Sequence, residues 1–431
     1  MSEATISVHL NKHRRLVEWA RLFAGYSCVQ VVAQGLGFLA GIIVVRSLSK
    51  EDYACFLIVN TIGPVMNMLS DNGITNSLSA IGGRFWKDDE RMGSLVKTAM
   101  TLRKRLVLLS FLVVTPVLIW MLRRNHCPNG SIAWLVPITL AGVFLQLNIG
   151  MLSAVVNLRQ QVGRMQALVI AGMLPRLVLI GSLAAMGWLN APLAVAVGTI
   201  VLGIQYLLLD RWVKPQISLD APLSEGFKTD ILAIVKRQAP LTIYFCLQSQ
   251  IGIWLISIFG NAHRVAEVGA LGRIGMIFSV LVSTTSALVV PRFARAQDLR
   301  RLRQCYATVL FGFSGAILLG SALAWLRPDS LLWLLGSKYS QLGSLVWLAV
   351  LAAGSSALTG LLYSLNVNKG WIPPAAIVIP AEIVSQVFLC LYFDLSSVRD
   401  VLLIGILGPA IPGFINLVVT LVKLNSAARI N

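Results

Sequence analysis

The chain alternates between long apolar stretches and short polar breaks. An apolar run of about 18 or more residues with few charges predicts a membrane-crossing helix, because the hydrocarbon core is roughly 30 Å thick and a helix rises about 1.5 Å per residue. Twelve such spans are predicted, at 22–45, 53–76, 106–122, 132–156, 165–187, 191–209, 240–260, 267–290, 305–326, 343–365, 372–393 and 400–422. The expected fold class is therefore an all-α polytopic membrane protein, its neighbouring helices joined mostly as antiparallel hairpins. A polar tail, 1–21, leads into the first span without a cleavage pattern, and a short tail, 423–431, follows the last. The longest break, 210–238, divides the chain into two six-helix halves, 22–209 and 239–422, the organisation expected of a duplicated transporter.

Composition agrees, with 56% hydrophobic and 13% charged residues, where a soluble domain has about 25% charged. The formal charge of +18 raises the question of nucleic acid, which its distribution answers. With the N-terminus inside, 26 of the 36 Lys and Arg residues fall in inside segments and 8 in outside loops. Cytoplasmic loops carry such an excess, so both termini are expected inside, and no nucleic-acid partner is implied. The six cysteines, Cys28, Cys55, Cys127, Cys246, Cys305 and Cys390, are isolated and mostly apolar in context. They read as small helix residues, and no metal or other cofactor is expected.

Polar residues inside the spans carry the candidate chemistry. Span two places Asn60, Pro64, Asn67 and Asp71 on one helical face; span four does the same with Gln146, Gly150, Ser153 and Asn157. Span ten carries Ser356, Thr359, Tyr363 and Asn366, span one Gln30 and Gln34, and span seven Thr242, Gln248 and Gln250. Such groups are costly against lipid. They face either neighbouring helices or a wet central cavity. Gly37 and Gly41 form a GxxxG, which predicts close helix packing.

Four ionisable residues fall within spans: Asp71, Arg176, Arg273 and Glu382. Intramembrane charges are functional candidates by default. Arg176 and Glu382 sit mid-span, where an ion pair between the halves is the alternative to a role in transport. A weak repeat links them: Pro175-Arg176 follows Gly163, and Pro380 with Glu382 follows Gly370, at similar distances. The sequence contains no P-loop, HExxH or GxSxG motif. Its outside loops are too short for a catalytic domain, so movement of a substrate is expected rather than enzymatic bond making.

The corner after span one reads Arg46-Ser47-Leu48-Ser49-Lys50-Glu51-Asp52-Tyr53, and span two ends on Ser70-Asp71-Asn72-Gly73. Later come Val268-Gly269-Ala270 with Arg273, then Pro291-Arg292-Phe293-Ala294, and Leu335-Gly336-Ser337-Lys338-Tyr339. Together these resemble the bacterial polysaccharide (O-antigen, Wzx-type) flippases of the multidrug/oligosaccharidyl-lipid/polysaccharide exporter superfamily. Ala54 departs from the glycine usual there. The peptidoglycan-precursor flippases of that superfamily have two further helices, for which this chain has no room.

The resemblance implies a MATE-like pair of lobes around a cavity with alternating access. It implies transport of an undecaprenyl-pyrophosphate-linked oligosaccharide across the inner membrane for surface polysaccharide, lipopolysaccharide or exopolysaccharide synthesis. The implied partners are that lipid-linked cargo, membrane lipids, the polysaccharide polymerase or export machinery, and a proton or sodium counter-ion. The expected cavity residues are Arg176 and Arg273 for the pyrophosphate, with Gln30, Gln34, Asn60, Asn67, Gln146, Asn157, Gln248, Thr359 and Tyr363 for the sugars. Asp71 and Glu382 are the candidates for ion coupling. A small-molecule antiporter of the same superfamily is the alternative.

Overall fold

A computed structural model describes residues 29 and 31–428, except 84, 86, 160, 219–221, 291, 292, 294–297, 370 and 372–374. The described residues are almost wholly helical, with no strand among them. Among the described residues, nine helices or helix pairs are long and apolar enough to cross a membrane, and there are three shorter apolar helices, Val31–Ser47, Gln250–Phe259 and Ala376–Tyr392.

In the first half, α1 (Val31–Ser47) turns through a corner into α2 (Lys50–Asp71). Ser49 caps α2 by accepting from the Asp52 amide at 3.0 Å, and Glu51 and Asp52 in the first turn complement the helix dipole. The helix stops where Asn72 and Gly73 take positive φ, 42° and 87°. This is the Ser-Asp-Asn-Gly segment seen in the sequence. After it run α3 (Ile74–Gly82), α4 (Asp89–Arg124), α5 (Asn129–Leu158), α6 (Val162–Ala185) and α7 (Ala191–Val213).

The second half contains α8 (Glu225–Phe259), α9 (Ala262–Ile274), α10 (Ile277–Leu288), α11 (Leu299–Leu326), α12 (Pro328–Leu335), α13 (Val346–Asn368), α14 (Ala375–Tyr392) and α15 (Val398–Ala428). The principal pairing in the first half is α5 against α7, and in the second α13 against α15. These are spans four with six and ten with twelve, so the two halves follow one packing plan.

Several boundaries differ from the sequence reading. The 210–238 break is only partly a loop: a short 3-10 turn, Lys214–Gln216, ends α7, and α8 begins at Glu225 on its Ser224 cap. Helix α4 likewise begins at Asp89 on its Asp88 cap, far ahead of the apolar run at 106. Apolar content marks where lipid begins, whereas caps mark where a helix begins, and polar helix formers continue the helix into water. The eighth span is broken at Gly275 and Met276 into α9 and α10. Helix α8 packs on α2, α3 and α4 of the first half as well as on α9 and α15.

The core lies where the halves meet. Helix α2 is central, with 67% of its apolar stretch buried against 11% for α6. Leu48, Tyr53 and Phe56 pack in one cluster with Ala266, Ala270, Leu335 and Tyr339. Cysteine usage corrects the sequence reading: Cys55 in α2 and Cys127 after α4 form a disulfide. Nothing in their spacing, 72 residues apart, marks the pair.

Candidate functional site

A cavity of about 780 Å³ runs along α2 and is walled by α5, α6 and α7. Its α2 wall extends from Phe56 to Asp71, about 22 Å of helix. Along that wall Asn60, Pro64, Asn67 and Asp71 follow one another, as their spacing predicts. Pro64 has no N–H, so the Asn60 carbonyl loses its ordinary helical partner beside the cavity. The Asn60 amide donates to the Phe56 carbonyl at 2.7 Å.

The facing walls add Gln146, Arg176, Gln205, Thr139 and Thr199. Gln205 donates to the Leu168 carbonyl at 2.9 Å. Gly172 makes this possible, because a Cβ there would collide with the Gln205 amide. Gln205, Thr139 and Thr199 are cavity residues that the sequence reading missed, and polarity within spans four and six was their available signal.

Arg176 is the cationic feature of this lining. Its Nε is buried with no hydrogen-bond partner, and its electrostatic neighbour is Arg273 from the other half. Arg273 donates from Nε to the Tyr53 hydroxyl at 3.4 Å. Its guanidinium lies against Gly41, where a Cβ would come within 3.2 Å of Nη1. The GxxxG glycine therefore gives room to an arginine of the opposite half. Gly37 faces Met173 of the cavity wall. The Arg176–Glu382 ion pair does not form; Glu382 lies elsewhere, facing Tyr244 and Gln248.

Asp71 borders the cavity but is already engaged. Its carboxylate accepts from the Thr75 hydroxyl at 2.6 Å and from the Thr75 amide, which caps α3. It also forms an ion pair with Arg103 of α4, whose Nη1 donates to the Leu147 carbonyl at 2.6 Å. The sequence map left Arg103 in a loop, because the apolar run begins three residues later. Glu382 of α14 is 2% exposed, and neither carboxylate oxygen has a hydrogen bond of normal geometry.

The remaining predicted residues separate. Gln34 bridges the halves, donating to Ser283 at 3.1 Å and accepting from Ser279 at 3.2 Å. Thr359 donates to the Pro409 carbonyl at 2.9 Å and serves α13–α15 packing. Asn157 is exposed, and Tyr363 is half-buried outside the cavity lining. Gln30 lies outside the described residues.

One end of the molecule is closed by contacts between the halves. Lys338 donates to the carbonyls of Arg46 and Leu48 at 3.0 and 2.8 Å. Arg46 reaches the carbonyls of Trp333 and Leu334 and lies over the Trp333 ring. Lys50 pairs with Glu267 at 3.0 Å, and Gln341 donates to the same carboxylate oxygen. Gly336, at φ +96°, turns the chain beneath Arg46. The two sequence segments around Arg46–Tyr53 and Gly336–Tyr339 thus form one closure.

No family model matches this sequence, and no curated protein matches it. Solved structures do. An inward-facing multidrug resistance MATE family transporter of the MOP superfamily superposes with a TM-score of 0.72 at 15% identity, over 94% of this chain and 99% of that one. A MATE in the straight conformation gives 0.60 at 17% identity, over 95% and 96%. A MOP superfamily transporter from Pyrococcus furiosus, described as having a binding pocket of reverse polarity that suggests a different function, gives 0.61 at 15% identity, over 95% and 96%. The chain has the all-helical, membrane-spanning fold of MATE transporters.

Proposed function

We propose that this protein is a flippase that moves an undecaprenyl-pyrophosphate-linked oligosaccharide across a bacterial inner membrane for surface polysaccharide synthesis. The observation that carries this reading is Arg176, a cation in the cavity wall with an unpartnered buried Nε and a second arginine beside it. Two like charges in a low-dielectric site repel one another, and a pyrophosphate between them relieves that repulsion while accepting charge-assisted hydrogen bonds. The Asp71 charge is matched by Arg103, so the lining is cationic in sum. Asn60, Asn67, Gln146 and Gln205 supply amides of the kind that sugar hydroxyls need. The polyprenyl tail stays in lipid while the head crosses.

In this reading both termini are cytoplasmic, twelve helices cross the membrane, and the closure around Lys50–Glu267 is extracytoplasmic. The two halves, 22–209 and 239–422, rock against each other, the first carrying the cavity, and Glu382 binds the coupling proton or sodium ion. A polymerase or export complex takes the delivered unit.

The second reading is a multidrug antiporter, favoured by the neighbour described as a multidrug resistance MATE family transporter. The sign of the cavity divides the two, since a cationic drug is repelled by Arg176 and Arg273. Deleting the gene and identifying the accumulated lipid tests this directly. A lipid-linked oligosaccharide retained on the cytoplasmic leaflet supports the flippase. Unchanged lipids together with heightened sensitivity to cationic drugs support the antiporter.

A further inference from the structure

The disulfide between Cys55 and Cys127 stands where the sequence offered only two isolated cysteines. Cys55 lies one turn into α2, and Cys127 lies in the turn between α4 and α5. Their Cα atoms are 6.1 Å apart, within the range a bridge spans without moving the backbone. Both residues are buried, at 1% and 6% exposure. Two residues before Cys127, the buried Asn125 side chain donates to the Ser257 carbonyl at 3.2 Å and to its hydroxyl at 2.7 Å. Arg124 donates to the Ile258 carbonyl. The pinned turn is therefore the seat on which the end of α8 rests, at the closed end of the molecule.

We infer that Cys55–Cys127 is an oxidatively installed brace at the extracytoplasmic end of the molecule, and that it fixes the α4–α5 turn on which α8 is seated. Disulfides form and persist in the periplasm and are rare in the reducing cytosol. The distribution of Lys and Arg independently assigns 46–52 and 123–131 to the outside. The two thiols lose two protons and two electrons, which pass to a thiol–disulfide oxidoreductase of that compartment. Cys246, Cys305 and Cys390 stand outside the bridge.

The test counts thiols with a polyethylene-glycol maleimide on denatured membranes. Wild-type protein gains two tags on reduction. A variant retaining only Cys55 and Cys127 takes none before reduction and two after, and takes two directly when made in cells lacking the oxidoreductase. Two tags without reductant in oxidase-proficient cells overturn the bridge. For the compartment, N129C in a cysteine-free background is labelled by an impermeant maleimide on intact cells. Labelling only after the cells are broken overturns the orientation. For the brace, reduction of the purified wild type lowers its unfolding temperature by several degrees, and an unchanged temperature overturns that role.

Discussion

Arg273 reaches from the second half of the molecule to the buried hydroxyl of Tyr53 in the first, with Nε 3.4 Å from the oxygen. The same guanidinium is the electrostatic neighbour of Arg176 in the cavity wall. Arg273 is thus a neighbour of both Arg176 and Tyr53, and under the proposed function a cargo anion that draws it toward Arg176 also withdraws it from Tyr53. Tyr53→Phe removes the hydroxyl and keeps the ring. Loss of a hydrogen bond worth about 1 kcal/mol changes the balance of closed and open states about fivefold. Spin labels at residues 129 and 340, both exposed, should report a larger separated population in the variant. An unchanged distance distribution contradicts this coupling.

The Lys50–Glu267 pair is half-shielded, at 18% and 16% side-chain exposure. A pair of this kind contributes up to about 1 kcal/mol. Glu267→Lys places like charges together and should open the same end further. The exchange Lys50→Glu with Glu267→Lys should restore the wild-type label distances. Failure of the exchange to restore them removes the pair as a latch.

Asp71, partly exposed to the cavity, pairs with the buried Arg103 guanidinium between the end of α2 and α4. Removing one partner of such a pair costs about 3–5 kcal/mol, because the other charge is stranded. Asp71→Asn should lower the unfolding temperature in detergent, and Asp71→Asn with Arg103→Met should recover most of the loss. Transport by the double variant should keep the ion dependence of wild type. Loss of ion coupling in a stable double variant would reinstate Asp71 as the coupling group.

Glu382 is buried on α14 with Tyr244 and Gln248 facing it. Glu382→Gln preserves shape and removes the charge. Under the proposed coupling, its transport no longer responds to the ion gradient that drives wild type. A response to pH and sodium gradients identical to wild type eliminates Glu382.

The sequence made the helices legible through hydrophobic runs, and charge sorting supplied an orientation to test. The α2 stripe was legible because helical spacing is fixed: Asn60, Asn67 and Asp71 share the cavity wall. Spacing alone does not say what Thr359 and Asn157 meet. Periodicity names a face but not its neighbour, and those faces meet α15 and the exterior. Arg103 was hidden because its charge placed it beyond the apolar boundary, whereas Asp71 compensates it within the bundle. The disulfide was hidden because only the folded chain brings Cys55 to Cys127.

In the proposed function, Arg176 and Arg273 hold the pyrophosphate of a lipid-linked oligosaccharide. That role is tested most directly by flipping in vesicles containing purified protein, read as the exposure of labelled sugar to an impermeant lectin. Wild-type protein should move the lipid, and Arg176→Ala and Arg273→Ala should each slow it about tenfold or more, as expected for loss of a charge-assisted contact of about 1.5–3 kcal/mol. Arg176→Lys should retain part of the rate. Equal flipping by wild type and both alanine variants, or transport of a cationic dye with no movement of the lipid, contradicts the account.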